Sequence, residues 1–265
     1  MRIEKLPAKD GTLLAYQQSG VGPPLVLVHG TGASSARWLP IFPALEEHFS
    51  IYAIDRRGRG DSSDANSYAL EREFEDVASV VDSIQQPVNL LGHSFGAICA
   101  LEAALLTPHI HKLILYEPPI PVEGVSIYPD GSIDQLDALL AAGKREEVLT
   151  MFIQEVVRMP SHDFELFRAS AAWPARIEAA HTLPRELRVQ EQYRFVPEHF
   201  KGLMIPTLLL VGGDSPSSFK AATSLVHTSL PNSQINVLSG QGHIAMDTSP
   251  DLFLREVVRF LKEIT

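Results

Sequence analysis

The sequence is poor in cysteine: Cys99 is the single one in 265 residues, so no disulfide can form within the chain. A lone cysteine is typical of proteins in a reducing compartment, which predicts a cytoplasmic location. The first residues, MRIEKLPAKDG, are charged and lack the apolar core of a signal peptide. No apolar run reaches the length that spans a bilayer, so we expect no membrane partner.

Basic residues are also scarce. The 22 lysines and arginines face 32 acidic residues, which gives a net charge of −10 and argues against a nucleic-acid partner. The one basic cluster, residues 56–59, lies between Asp55 and Asp61, and we interpret it as part of a loop. Internal repeats are missing too. The hydrophobic content of 45% is enough for one large domain that carries an inserted sub-region.

Short runs of β-favouring residues alternate with helical patterns along most of the chain. Strands are predicted over 12–20, 23–30, 50–55, 87–92, 111–119, 206–214 and 233–240. Helices are predicted over 36–49, 70–84, 95–108 and 249–264. This alternation predicts an α/β fold with a mostly parallel central sheet and helices on both faces.

Residues 120–200 break the alternation because they lack apolar β-runs. Their pattern predicts four helices, over 132–143, 145–157, 161–173 and 175–187. Such an insertion between two strands would cover one end of the sheet. We therefore predict an α/β core made of residues 1–119 and 201–265, with residues 120–200 as a helical cap.

The motif Gly92-x-Ser94-x-Gly96 lies where a predicted strand ends and a helix begins. A serine hydroxyl becomes a useful nucleophile when a base removes its proton and the side chain is presented on a tight turn. Glycines on both sides allow that turn, and the following helix offers free amides to a developing negative charge. The stretch LLGHSFGAI resembles the nucleophile elbow of the α/β-hydrolase family. The alternative is an ordinary glycine-rich turn.

Further segments are similar to the same family, and the resemblance covers nearly the whole chain. VHGTG, residues 28–32, resembles the oxyanion loop, which implies that the amides of Thr31 and Phe95 stabilise the tetrahedral intermediate. GQGHIAMDTSP, residues 240–250, resembles the segment that holds the catalytic base, which implies His243. The other nine histidines lack this setting, and His93 is expected to point away from the serine.

The acidic partner of the base has two candidates. The family commonly has Gly-x-x-Asp after the penultimate strand, but here Ser215 stands three residues after Gly212 and Asp214 comes one residue early. Glu117 ends the preceding strand, where haloalkane dehalogenases and mycotoxin-type lactonases carry their acid. We favour Glu117 and keep Asp214 as the alternative. The competing roles are a bond to loop amides for Glu117 and a helix N-cap for Asp214.

A serine at position 94 separates this chain from the family branches that use an aspartate nucleophile. The resemblance therefore implies hydrolysis of a small, apolar ester, lactone or thioester through an acyl-enzyme. Trp173 is the candidate substrate-binding residue of the cap, because it precedes Pro174 and its ring N–H needs a partner.

Zinc and nucleotide motifs are missing from the sequence, so we expect no cofactor and no metal. The competing hypothesis is a ligand-binding or receptor-like homologue of the family with little turnover. The sequence leaves open whether the chain forms a homodimer.

Overall fold

An eight-stranded sheet forms the centre of the protein, in a computed structural model that describes residues 2–124 and 128–263. The strands are β1 (Arg2–Pro7), β2 (Leu13–Ser19), β3 (Pro24–Val28), β4 (Ser50–Asp55), β5 (Val88–His93), β6 (Ile110–Tyr116), β7 (Thr207–Gly212) and β8 (Ser233–Leu238). Their order is β1-β2-β4-β3-β5-β6-β7-β8. The pairs β1/β2 and β2/β4 are antiparallel and all other pairs are parallel, which confirms the mostly parallel sheet.

Helices cover both faces of this sheet. They are α1 (Phe42–Glu46), α2 (Leu70–Ser83), α3 (Phe95–Ala103), α4 (Ser132–Ala141), α5 (Arg145–Met151), α6 (Ser161–Arg168), α7 (Trp173–Ala179), α8 (Leu183–Gln192), α9 (Pro197–Phe200), α10 (Ser217–Ser229), α11 (Ala245–Thr248) and α12 (Pro250–Lys262). One hydrophobic cluster packs α2, α3, α9 and α10 on one face, and a second packs α1 and α12 on the other and continues into α4–α8. The central strands are buried on both sides, which explains their continuous apolar runs.

Several elements differ from the sequence prediction, and α9, α10 and α11 were not predicted. Strand β1 was not predicted, because as an edge strand with mostly exposed side chains it has no apolar run. The helix predicted over 175–187 is divided into α7, a 3-10 turn over Ala180–Thr182 and α8. Pro184 is the second residue of α8, where an amide N–H would have no partner within the helix. The helix predicted over 36–49 is a 3-10 turn over Ser35–Trp38 followed by α1.

The α4–α9 insertion is joined to the core by a buried charge cluster that consists of Arg56, Arg59, Glu73 and Glu186. Arg56 donates to Glu73 at 2.9 Å and to Glu186 at 2.6 Å, and Arg59 contacts both carboxylates as well. All four side chains are fully or almost fully buried. Two cations thus balance two carboxylates, and the loop after β4 is bound to α2 and α8. Across residues 2–124 and 128–263, no helix has both the length and the apolar character needed to cross a membrane.

Replacing Glu73 by glutamine is expected to lower the free energy of unfolding by about 3–5 kcal/mol, because two buried guanidiniums then share one carboxylate. Burial raises the pKa of Glu73, but Arg56 and Arg59 outweigh that effect and hold the pKa at about 2, below the ordinary 4.5. The carboxylate therefore stabilises the fold above pH 4.5, and that stability is lost as the pH falls towards 2. Urea titrations at neutral and acidic pH measure both effects.

The matched control is Glu71→Gln. Glu71 is exposed on the first turn of the same helix, and this substitution removes the same charge. Its free energy of unfolding should change by less than about 0.5 kcal/mol. A Glu73→Gln variant that unfolds at the wild-type urea concentration would contradict the stabilising role of the cluster.

Candidate active site

Ser94 occupies the sharp turn between β5 and α3. Its φ is +56°, a left-handed conformation that is unusual for a residue with a side chain. Its amide donates to the carbonyl of Tyr116 at 2.8 Å, so the turn continues the ladder of the sheet. A Cβ atom on Gly96 would lie 2.4 Å from the carbonyl oxygens of Val28 and His29. The turn can therefore approach β3 this closely only with glycine at that position.

Glu117 follows β6 and faces His243, which lies in the loop after β8. The Nδ1 of His243 is 2.5 Å from Oε2 of Glu117, and Oε1 accepts the amide N–H of Gly212 at 2.7 Å. The Glu117 side chain is fully buried and its φ is +48°, a second strained residue at the same edge of the sheet. An ionised carboxylate accepts only, so Nδ1 carries the proton and Nε2 keeps its lone pair.

Asp214, the alternative acid, lies elsewhere. It is exposed in the turn after β7, and its backbone amide donates to the carbonyl of Gln241 at 2.9 Å. In the described part of the chain, its carboxylate forms no hydrogen bond to His243. It is not a helix N-cap either, because Pro216 precedes α10. Ser215, at the position where the family commonly has aspartate, is buried.

Two aromatic side chains, those of Phe219 and Tyr116, hold the His243 loop. The Phe219 ring stacks on His243 with centroids 4.4 Å apart and an angle of 20° between the planes. The buried hydroxyl of Tyr116 donates to the carbonyl of Gly242 and accepts the amide of Ala245 at 3.1 Å. The sequence analysis missed both residues. The position of Tyr116 directly before a strand-end glutamate was the available signal.

The orientation of the His93 ring differs from the sequence prediction. Its ring does not point away from the site: Nε2 donates to the carbonyl of His243 at 2.8 Å, and the two ring centroids are 4.6 Å apart. Burial, together with the nearby His243 and Arg37, lowers the pKa of His93 well below 6.5, so the ring is neutral. A neutral ring can pack beside His243 without repelling a proton on it.

Two backbone amides close to Ser94 have no hydrogen-bond partner among the described residues, those of Thr31 and Phe95. Thr31 follows the strand β3 in the loop that lines the cavity, and Phe95 is the first residue of α3. Amides in the first turn of a helix have no partner within the helix, and its dipole favours negative charge there. Both amides are therefore available to an anionic oxygen.

The cavity beside Ser94 has two lobes. Both lobes are lined by Thr31, Ser94, Phe152, Val157 and His243. The first, which we call the apolar lobe, is completed mainly by Ile120, Val156, Leu187 and Phe219, and the exposed Arg158 also lines it. The second, which we call the cationic lobe, is completed by Arg37, His93, Phe167 and Arg176, among others. Phe152 begins a π-helical turn over Phe152–Val156, a distortion often found at functional sites.

Trp173 does not line either lobe, contrary to the sequence prediction. Its ring packs edge-on against Phe164 and Phe167, with centroids 5.9 and 6.4 Å away, and its Nε1 donates to Glu146 at 3.4 Å. The N–H thus finds its partner within the α4–α9 insertion. Phe167, one of the two rings that Trp173 contacts, lines the cationic lobe.

The profile of the alpha/beta hydrolase family matches residues 25–256, which is most of the chain. The chain belongs to the alpha/beta hydrolase family. It is 35% identical to an alpha/beta hydrolase from Sphaerobacter thermophilus, with a TM-score of 0.85 over 98% of this chain and 100% of the other.

Two other solved structures show the same fold. An esterase from Rhodococcus sp. is 24% identical with a TM-score of 0.80, and the match covers all of both chains. An enol-lactonase from Burkholderia xenovorans is 19% identical with a TM-score of 0.80, over 98% of this chain and 100% of the other. The family and the fold expected from the sequence are confirmed.

In this alpha/beta hydrolase, a hydroxyl after β5 and an imidazole after β8 line one cavity, and the buried carboxylate of Glu117 is bonded to the imidazole from outside that cavity. Ser94 and His243 line both lobes, although the part of the chain that the structure describes shows no hydrogen bond between the hydroxyl and the ring. Such bonds are often loose in free enzymes and tighten when substrate binds.

Proposed function

We propose that the protein is a serine hydrolase that cleaves an ester, lactone or thioester through an acyl-enzyme. The observation that carries this proposal is the 2.5 Å bond from Glu117 to Nδ1 of His243, beside a strained serine in a cavity. A buried carboxylate on Nδ1 leaves Nε2 as the proton acceptor and stabilises the imidazolium that forms when the ring accepts a proton. The esterase and the enol-lactonase that share the fold act on substrates of this kind.

The proposed reaction has two halves. Nε2 of His243 takes the hydroxyl proton while Oγ of Ser94 bonds to the substrate carbonyl, and the amides of Thr31 and Phe95 receive the resulting oxyanion. When the intermediate collapses, the proton passes from Nε2 to the leaving alcohol, thiol or ring oxygen. A water molecule then repeats these steps on the acyl-enzyme, which releases the acid and restores Ser94.

A fluorophosphonate probe tests the nucleophile directly. We expect covalent labelling of the wild-type protein, with the adduct on the peptide that contains Ser94 and no adduct on the Ser94→Ala variant. Mass spectrometry of the intact and digested protein provides both readouts. A folded wild type that stays unlabelled would instead favour a receptor-like protein with little turnover, because such a protein keeps the cavity without an activated serine.

A further inference from the structure

The cationic lobe contains a buried guanidinium without a carboxylate partner. Arg176, on α7, is only 5% exposed, and no carboxylate of residues 2–124 and 128–263 comes within salt-bridge distance of it. Its Nη1 donates to the carbonyl of Gly32 at 3.3 Å, and its buried Nε has no partner in the same residues. Buried arginines are normally paired, because taking a lone charge out of water is costly. Burial and the nearby Arg37 lower the pKa of Arg176 to about 9, so it still carries a charge at neutral pH.

The neighbouring charges do not compensate for Arg176. Arg37 also lines the lobe, but it forms an ion pair with Asp247, so each neutralises the other. The Phe167 ring lies 4.1 Å from the Arg176 guanidinium and 5.8 Å from that of Arg37. A ring face attracts cations without neutralising them. Two cations and one carboxylate therefore leave one positive charge in the cationic lobe.

This charge lies close to the reacting groups. Arg176 is hydrogen-bonded to Gly32, which is adjacent to Thr31, and the lobe that it lines also contains Ser94 and His243. An anion on the guanidinium would thus lie next to the carbonyl that Ser94 attacks. We propose that Arg176 binds a carboxylate of the substrate, so that the preferred substrates are small esters, lactones or thioesters that carry a free carboxylate. This inference rests on the proposed function for the identity of the reacting group.

A carboxylate fits the lobe better than a phosphate does. The net charge of one matches a monoanion, and guanidinium donors match the two oxygens of a carboxylate. The further lining of the lobe includes Leu149, Ile153 and Met159, which offer no donors for additional phosphate oxygens. A substrate with an apolar body and one carboxylate end therefore suits this lobe.

Two matched pairs of esters test the inference, because the carboxylate can belong to the acyl group or to the alcohol. In the first pair, p-nitrophenyl hydrogen glutarate is compared with the neutral ester whose acyl chain ends in an isopropyl group in place of the carboxylate. In the second, p-carboxyphenyl butyrate is compared with p-nitrophenyl butyrate. The kcat/KM of each ester is measured after spontaneous hydrolysis is subtracted. Arg176→Met should lower the anionic-to-neutral ratio of kcat/KM about 100-fold in at least one pair, the size expected when a charge-assisted bond is lost.

The matched control is Arg145→Gln, which removes one positive charge from an exposed position on α5. It should leave both ratios unchanged within about twofold, since exposed charges are screened. Arg176→Lys should restore only part of the preference, because an ammonium lacks the forked donors. Thermal melts without ligand should show no loss of stability in Arg176→Met, because the substitution removes an unpaired buried charge.

Binding provides a readout that does not depend on turnover. Monomethyl glutarate should bind to the Ser94→Ala protein in a calorimeter, and adding Arg176→Met should weaken that binding at least about 20-fold. If wild type hydrolyses the neutral esters and Arg176→Met leaves both ratios unchanged, the carboxylate inference is overturned and the hydrolase proposal stands. If no ester is hydrolysed, the hydrolase proposal fails and calorimetry decides: Arg176-dependent binding supports the carboxylate site, and its absence overturns it.

Discussion

Replacing Ser94 by alanine is expected to lower kcat by about 10⁶, the largest effect of any single substitution in this protein. Without the hydroxyl no acyl-enzyme can form, and the remaining amides and His243 can only assist direct attack by water. Alanine occupies the same turn, so the fold and the cavity should persist. Steady-state hydrolysis of p-nitrophenyl butyrate measures the loss, and a thermal melt verifies the fold.

The control for this loss is Ser217→Ala, because Ser217 is an exposed serine at the start of α10. Its kcat should stay within about twofold of wild type, as expected for a surface substitution. Active-site titration with the fluorophosphonate sets the detection limit by revealing any contaminating wild-type enzyme. More than about one hundredth of wild-type turnover in clean Ser94→Ala protein would rule out Ser94 as the nucleophile.

The Glu117→Gln variant is expected to lose about 10⁴ in kcat, because an amide does not stabilise the imidazolium and lets His243 adopt the wrong tautomer. Its side-chain carbonyl can still accept the Gly212 amide, which is 2.7 Å from Oε1, so the fold should be retained. KM should change little, because Glu117 is fully buried and is not among the residues that line either lobe. Steady-state kinetics on an activated ester and a thermal melt separate lost chemistry from misfolding.

Asp214→Asn is the matched comparison, since it removes one carboxylate from the other candidate position. It should change kcat by less than about tenfold, because the side chain is exposed in the turn after β7. If Asp214→Asn loses most of its activity and Glu117→Gln keeps it, the carboxylate that orients His243 is Asp214 and not Glu117. If neither variant loses activity, no carboxylate orients His243 and the proposed triad fails.

The parallel sheet, the family and the serine turn could be predicted from the sequence because each depends on residues that are close together in the chain. Strands β3 and β7 are almost entirely apolar because both of their faces are buried. The turn at Ser94 needs small neighbours within two residues, and a pattern of five residues can express that need. Strand β1 was not predicted because an exposed edge strand has no such local pattern.

Tertiary structure alone determines which distant side chains meet. Glu117 and His243 are 126 residues apart, and the sequence offered Asp214 on nearly equal terms, because both acids follow parallel strands that end at the same edge of the sheet. The sequence showed that the ring N–H of Trp173 needs a hydrogen-bond acceptor but not which group provides it. In the structure the acceptor is Glu146, within the α4–α9 insertion. The lone charge of Arg176 could not be predicted from the sequence, because its burial and its lack of a carboxylate partner depend on how α7 packs beside the loop after β3.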